Sequence, residues 1–513
     1  MSSHPSRLGV NIGLFLGVSA TAWTAVVSIA CVPWFLNLLG IESYGLIGFF
    51  ATLQVAIGLL DLGLGATINR EVARSAVLDN LESARRLLSS LEFVYAAVAL
   101  LILVGITAAA PLIADKWLRY STLDRDDIHL AIQLMGVVAA LRWPISLYLG
   151  TLVGLQRMQV SYRITATMAT IGNVGAVLVL LYIERTIWAY FVWQATASLL
   201  YLLWGRRSAW RELGERTGTR FDSTLLRGVL VQSVMMSGVA VSGLILTQLD
   251  KFMVSSSTTL SDFGRYSLAV IMTSGLSVII IPTFNLIYPR LSTLVATGDT
   301  VEQIRFYRLG TRLFLSCLFP VALSAFFYAG DVLTLWTGDR ALARDTAPIA
   351  GLLCLGVALN GMMHFPYAMQ LATGRTRLPL LINCALIVIV IPLTFVLVRH
   401  YGALGGALAV LCLNAIYVVI GVTATHIYLL PGLQKRWLLH DVAPTLIVAA
   451  ATVTGGNYLA SLANLDHLAR LAVGTVCSVV ATTVLFFLYR DVRSVVKYVW
   501  STSSMKFRRR GSS

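Results

Sequence analysis

Apolar residues run along this chain in long unbroken stretches, and short charged segments divide them. A helix needs about 20 such residues to cross the hydrocarbon of a bilayer. Fourteen stretches qualify, at 8–36, 44–66, 88–112, 128–154, 161–183, 187–205, 228–250, 263–288, 309–330, 346–372, 379–398, 403–429, 439–462 and 468–489. The pattern predicts an all-α integral membrane protein of about 14 transmembrane helices, because a helix satisfies its own backbone polar groups in lipid. The first apolar run, Leu8 to Leu39, exceeds the core of a removable signal peptide and reads as a span. The loops at 161–205 and 379–429 are so short that their dividing points are the softest.

Composition narrows the classes. The 513 residues are 57% hydrophobic and 12% charged, about half the charge of a soluble protein. A net charge of +15 could signal nucleic acid, but the charges lie between apolar stretches, so no nucleic-acid partner is expected. The six cysteines, Cys31, Cys317, Cys354, Cys384, Cys412 and Cys477, sit in apolar stretches and form no CxxC pair. Neither a metal site nor a disulfide framework is expected from them. The chain has no GxxxxGK[ST], HExxH or GxSxG motif. No loop exceeds roughly two dozen residues, too little for a soluble catalytic domain. The expectation is a non-enzyme with no catalytic residue and no cofactor.

Charge also sets orientation. With the N-terminus in the cytoplasm, most of the 39 Lys and Arg fall in cytoplasmic segments. These include Arg70, Arg74, Arg85, Arg86, the runs Arg206 to Arg227 and Arg290 to Arg312, and the tail Arg490 to Arg510. Acidic residues divide about evenly. That is the positive-inside pattern, a Lys/Arg rule rather than a net-charge rule. An even span count then puts both termini in the cytoplasm, as in a bacterial inner membrane. Lys506, Arg508, Arg509 and Arg510 read as a topology anchor.

Segments about 220 residues apart resemble one another. Tyr44-Gly45 opens the second span and Asn69-Arg70 closes it; Phe263-Gly264 opens the eighth and Pro289-Arg290 closes it. Arg142-Trp143-Pro144 in the fourth span matches His364-Phe365-Pro366 in the tenth, with Arg157 and Arg375 following. A duplicated bundle is a common transporter plan. The expected domains are an N-lobe at 1–225, a C-lobe at 226–435, an appendage of two helices at 436–490 and a basic tail at 491–513. Six spans per lobe make the repeat parallel.

Ionisable groups inside spans are costly and usually functional. Arg142 and His364 lie near mid-depth and, by the duplication, should approach each other. A guanidinium matches a phosphate oxygen pair and stays charged at any depth. Arg142 either faces substrate or pairs with Asp61 or Glu92. His364 binds substrate, carries a proton or bonds between helices. Arg70 and Arg290 are further candidates for an anionic headgroup. Asp61 and Glu92 are candidates for ion coupling, and Asp250 and Lys251 for gating. As sequence neighbours, Asp250 and Lys251 should point to different faces and form no pair. Asn173, Asn285, Asn360, Asn383 and Asn414 line a cavity or bridge helices. Pro144, Pro282, Pro366 and Pro392 should kink or break helices.

Several segments resemble a known family. Leu36–Leu46, Leu59–Leu64 and Arg70–Ala73 are similar to the opening of the polysaccharide repeat-unit flippases, the O-antigen and exopolysaccharide exporters of the multidrug/oligosaccharidyl-lipid/polysaccharide (MOP) superfamily. Gln248–Lys251 and Phe263–Ser267 resemble the start of that family's second half. Pro282–Asn285, Tyr288–Leu291 and Gln370–Thr376 resemble later blocks. The likeness spans roughly 10–430. It implies two six-helix lobes plus two helices, a cationic cavity and alternating access. The implied cargo is an undecaprenyl-pyrophosphate-linked oligosaccharide moved to the periplasmic leaflet, with a glycan polymerase and glycosyltransferases as partners. His364 departs from the family by standing where a permanent charge would be wanted. A cation-coupled multidrug antiporter of the same superfamily and a membrane-embedded polymerase or ligase are the competing readings.

Overall fold

A computed structural model describes residues 7–61, 63–78, 80–214, 238–489 and 491–493. Its described residues are almost wholly helical, and none lies in a strand ladder. The chain divides into two compact units, Met1–Gly264 and Arg265–Ser513. The boundary expected at 225/226, the start of the seventh span and the tail from 494 lie outside the described residues. Eleven helical segments among the described residues are long and apolar enough to cross a membrane. Two of the eleven, Ser19–Asp61 and Arg377–Leu429, are far longer than one crossing needs.

The first unit holds α1 (Arg7–Gly58), α2 (Leu64–Val77), α3 (Leu81–Leu112), α4 (Arg125–Arg142), α5 (Ile145–Gly154), α6 (Met158–Tyr182), α7 (Ile187–Leu213) and α8 (Gly238–Ser257). Its last residues begin α9 (Leu260–Ser274). Within it α1 packs on α6, α2 on α5, and α4 on both α3 and α7. Helix starts follow local chemistry. Asn80 accepts from the Ser83 amide at 3.2 Å and Thr186 from the Ala189 amide at 3.4 Å, taking up donors that the first turn leaves without partners.

The second unit continues with α10 (Ser277–Thr297), α11 (Thr300–Phe327), α12 (Ala329–Thr337), α13 (Arg340–Met362), α14 (His364–Ala372), α15 (Arg377–Leu429), α16 (Ala443–Leu462) and α17 (His467–Leu488). Asp299, Asp339 and Asp466 cap α11, α13 and α17 by accepting amide hydrogen bonds at 2.8–3.1 Å. Its core gathers Tyr307, Phe314, Phe365, Trp437 and their neighbours.

Two helices are interrupted by a single glycine. Gly40 in α1 has φ 79° and ψ 169°, and Gly402 in α15 has φ 56° and ψ −131°, conformations that a side chain would oppose. A Cβ on Gly405 would lie 2.0 Å from the Leu397 carbonyl oxygen. Residues eight apart in a straight helix are about 12 Å apart along its axis, so the chain doubles back at Gly402. The reversal falls between the spans expected at 379–398 and 403–429.

The prolines act unevenly. Helix α4 stops at Arg142 and α5 starts at Ile145, with Pro144 between them. Helix α13 stops at Met362 and α14 starts at His364, so Pro366 occupies the first turn of α14, where a missing amide costs nothing. Pro282 and Pro392, by contrast, lie inside continuous helices. The break expected at Pro282 falls earlier, at Gly275–Leu276.

Within the first unit, two equivalent segments cross at contact distance. A Cβ on Gly45 would lie 2.3 Å from the Leu260 carbonyl oxygen, and one on Gly264 would lie 2.4 Å from that of Ile41. The contact is reciprocal, as pseudo-twofold related positions produce. Nearby, the Leu260 amide donates to the Arg119 carbonyl at 2.7 Å.

Candidate functional site

Arg142 is the last residue of α4, delivered where the backbone breaks at Trp143-Pro144. Its Nε donates to Ser198 Oγ at 3.0 Å, Nη1 to Gln54 Oε1 at 3.0 Å and Nη2 to Gln194 Oε1 at 2.7 Å. The Phe50 ring centre lies 5.9 Å from Cζ. Gln194 is buried, and its Nε2 donates to the Gly172 carbonyl at 3.3 Å. That bond turns the amide oxygen toward the guanidinium. Among the described residues no Asp or Glu oxygen lies within 4.0 Å of Arg142. A part-buried full charge thus rests on neutral dipoles alone, and its neutral partners engage three of its five N–H donors.

The two carboxylates considered as partners for Arg142 are engaged elsewhere. Asp61 Oδ1 accepts from the Tyr95 hydroxyl at 2.5 Å and from Ser146 Oγ at 3.4 Å, and Oδ2 accepts from the Gly65 amide at 3.2 Å. It has no Lys or Arg partner among the described residues. Tyr95 packs on Trp143 with ring centres 5.5 Å apart, so the Asp61 network adjoins the residue after Arg142. Glu92 is 11% exposed. It accepts from Arg206 Nε at 2.9 Å, Trp210 Nε1 at 2.8 Å and the Tyr148 hydroxyl at 2.9 Å. It holds α3, α5 and α7 together rather than standing in water at an interface.

His364 opens α14 in the second unit. Its Nδ1 lies 3.2 Å from the Asn360 carbonyl oxygen and 3.1 Å from that of Gly361. Carbonyl oxygens only accept, so Nδ1 carries the proton and Nε2 is left as the acceptor. Phe284 meets the imidazole edge-on at 5.6 Å. Arg290 is exposed and has no polar partner among the described residues. Arg70 is 47% exposed and bonds to Glu71 at 3.2 Å.

Asp250 and Lys251 correct the sequence reading. They are neighbours on α8, yet Nζ lies 3.6 Å from Asp250 Oδ2 and donates to the Thr247 carbonyl at 2.7 Å. A four-carbon stem lets the ammonium fold back along its own helix, which face counting ignores. Two asparagines bridge helices: Asn360 donates to Asn414 at 2.9 Å, and Asn173 to Ser28 Oγ at 3.4 Å.

Three polar clusters escaped sequence reasoning. Glu42 is buried and accepts from the amides of Ser121 at 2.5 Å and Thr122 at 2.8 Å, and from the Thr122 hydroxyl. Asp441, fully buried, receives Arg308 at 2.7 Å and Arg312 at 2.6 Å. Asp331 pairs with His467 at 2.6 Å and Arg470 at 3.1 Å. The only signal for each was an acidic residue at the end of an apolar run.

A family model described as polysaccharide biosynthesis protein matches residues 13–295, more than half of the chain. The chain belongs to the polysaccharide biosynthesis protein family. A Shigella flexneri relative, named as an O-antigen transporter, is 22% identical to this polysaccharide biosynthesis protein over 377 residues, covering 72% of this chain and 87% of the relative. Its fold resembles the lipid II flippase MurJ in an inward closed conformation, with TM-score 0.66 and 14% identity over 92% of this chain and 99% of that one. It also resembles an inward-facing MATE-family multidrug resistance transporter of the MOP superfamily, with TM-score 0.67 and 12% identity over 82% and 96%. Eleven long apolar helices and the family match make it a multi-pass membrane protein, and its fold is the one shared by the MurJ and MATE structures.

Proposed function

We propose that this polysaccharide biosynthesis protein is a flippase. Its cargo is an undecaprenyl-pyrophosphate-linked oligosaccharide, moved from the cytoplasmic to the periplasmic leaflet of a bacterial inner membrane by alternating access. Both termini face the cytoplasm, and a polymerase receives the product. No bond is made or broken, so the protein acts as a transporter rather than an enzyme.

The observation that carries this reading is the guanidinium of Arg142 resting on Ser198, Gln54 and Gln194. A charge in an apolar bundle is expensive unless an opposite charge arrives. A pyrophosphate supplies that charge and leaves with it. The name of the Shigella flexneri relative supports the same cargo class. Asp61, a carboxylate without a basic partner among the described residues, is the best-placed residue to take up a coupling proton or cation.

Asp61 and the MATE-like fold also favour a second reading, a cation-coupled multidrug antiporter. Deleting the chain in its native host separates the two. The flippase reading expects lipid-linked oligosaccharide to build up in the inner leaflet, shielded from a periplasmic glycan-cleaving probe. Normal surface polysaccharide with heightened sensitivity to cationic drugs would favour the antiporter.

A further inference from the structure

In the second unit, α10 and α14 place three aromatic rings in a ladder. Tyr288 and Phe284 lie one helical turn apart, with centres 6.0 Å apart and planes 2° apart. Phe284 and Tyr367 follow with centres 5.9 Å apart and planes at 22°. His364 closes the inner side against Phe284. Parallel offset rings are a normal aromatic packing, but the polar groups around them are not normal for a lipid-facing surface. Neither the Tyr288 nor the Tyr367 hydroxyl bonds to any described residue. The exposed side chain of Asn285, next in sequence to Phe284, has no described partner either. Tyr288 is 37% exposed.

An amide and two phenols left without partners in hydrocarbon would each cost a few kcal/mol. Because Pro289-Arg290 closes this span, Tyr288 stands near its end, where a phenol can meet water or a polar ligand. Flat rings edged by hydrogen-bonding groups fit one ligand chemistry well. A pyranose offers an apolar face of C–H groups to a ring and hydroxyls around its rim to donors and acceptors. A phosphate would want cations, and a flat cation would want nearby carboxylates; neither borders these rings in the described contacts.

We infer that Tyr288, Phe284 and Tyr367, with Asn285 and His364, form a saccharide subsite that stacks a sugar ring of the cargo. The assignment rests on the flippase reading and adds a contact to the sugar rather than to the pyrophosphate. In that arrangement Tyr288 supplies the outer ring, and Asn285 and the phenols read the sugar hydroxyls.

The test uses the full-length protein in nanodiscs and two probes, a short-chain prenyl pyrophosphate and the same compound bearing N-acetylglucosamine. Binding is measured by calorimetry for the wild type, Tyr288→Leu and Tyr288→Trp, with melting curves to confirm folding. The expected result is that the wild type binds the sugar-bearing probe about tenfold more tightly. Tyr288→Leu should erase that advantage and leave the sugarless probe unchanged, and Tyr288→Trp should restore it. Equal affinity of the wild type for both probes overturns the subsite and leaves the flippase reading standing. Equal weakening of both probes by Tyr288→Leu does the same. Absence of binding by either probe overturns the flippase reading and the subsite with it.

Discussion

Gly45 and Gly264 exchange contacts across one crossing. Each presents its bare Cα to a backbone carbonyl of the other's segment, Gly45 to Leu260 and Gly264 to Ile41. The two glycines are the second residues of the pairs Tyr44-Gly45 and Phe263-Gly264. Backbone facing backbone cannot yield to a methyl as a flexible side chain would. Gly45→Ala and Gly264→Ala should each lower stability by about 1–3 kcal/mol, the usual range for overpacking. Gly105→Ala is the control, because nothing lies within 4 Å of a Cβ there. Alanine at that helical position should be neutral or stabilising by up to about 1 kcal/mol. Thermal unfolding in detergent, comparing the three variants, checks this; equal melting temperatures would remove the close crossing.

The two C-terminal helices are keyed to the second unit by charge. Asp441 takes both Arg308 and Arg312, and Arg312 continues to Asp491 at 3.1 Å. Asp441→Asn keeps the shape but leaves two guanidinium groups, each under 15% exposed, short of their counter-charge. Breaking such a pair from one side costs about 3–5 kcal/mol. A fall in melting temperature, with specific transport per folded molecule preserved, is expected. Removal of 436–513 should likewise damage stability more than transport. Selective loss of transport in a stable truncated protein would contradict a supporting role.

Glu92 and Asp61 should behave differently although both are acidic and within one unit. Glu92 ties Arg206, Trp210 and Tyr148 together, so Glu92→Gln should lower the melting temperature. Asp61 accepts only from neutral groups among the described residues; in Asp61→Asn the amide oxygen can still accept from the Gly65 amide, and its NH2 can donate to the Tyr95 hydroxyl, which accepts as well as donates. Asp61→Asn should fold normally but lose the dependence of transport on the ion gradient. Uptake into proteoliposomes with and without a gradient measures this, and an unaltered gradient response would dismiss Asp61 as the coupling group.

Much of this was legible in the chain. Helices followed from run length, and the break after Arg142 from Pro144. What escaped had a physical cause in each case. The pairing of Lys251 with Asp250 depends on stem length, which helical face counting does not contain. The cradle of Arg142 joins Gln54 on α1 to Gln194 and Ser198 on α7. Polar residues inside apolar stretches are its only trace in the sequence. The Tyr288–Phe284–Tyr367 ladder was hidden for a simpler reason, since aromatic residues in spans ordinarily pack in cores.

The most direct test of the central claim is transport of a fluorescent prenyl-pyrophosphoryl sugar into proteoliposomes by Arg142→Gln, a variant that can still bond to Ser198. The account predicts a folded protein with the wild-type melting temperature to within a few degrees and transport lowered at least tenfold, with Arg142→Lys recovering part of it. Wild-type transport by Arg142→Gln would contradict the account, because the cargo would then cross without the buried charge proposed to meet it.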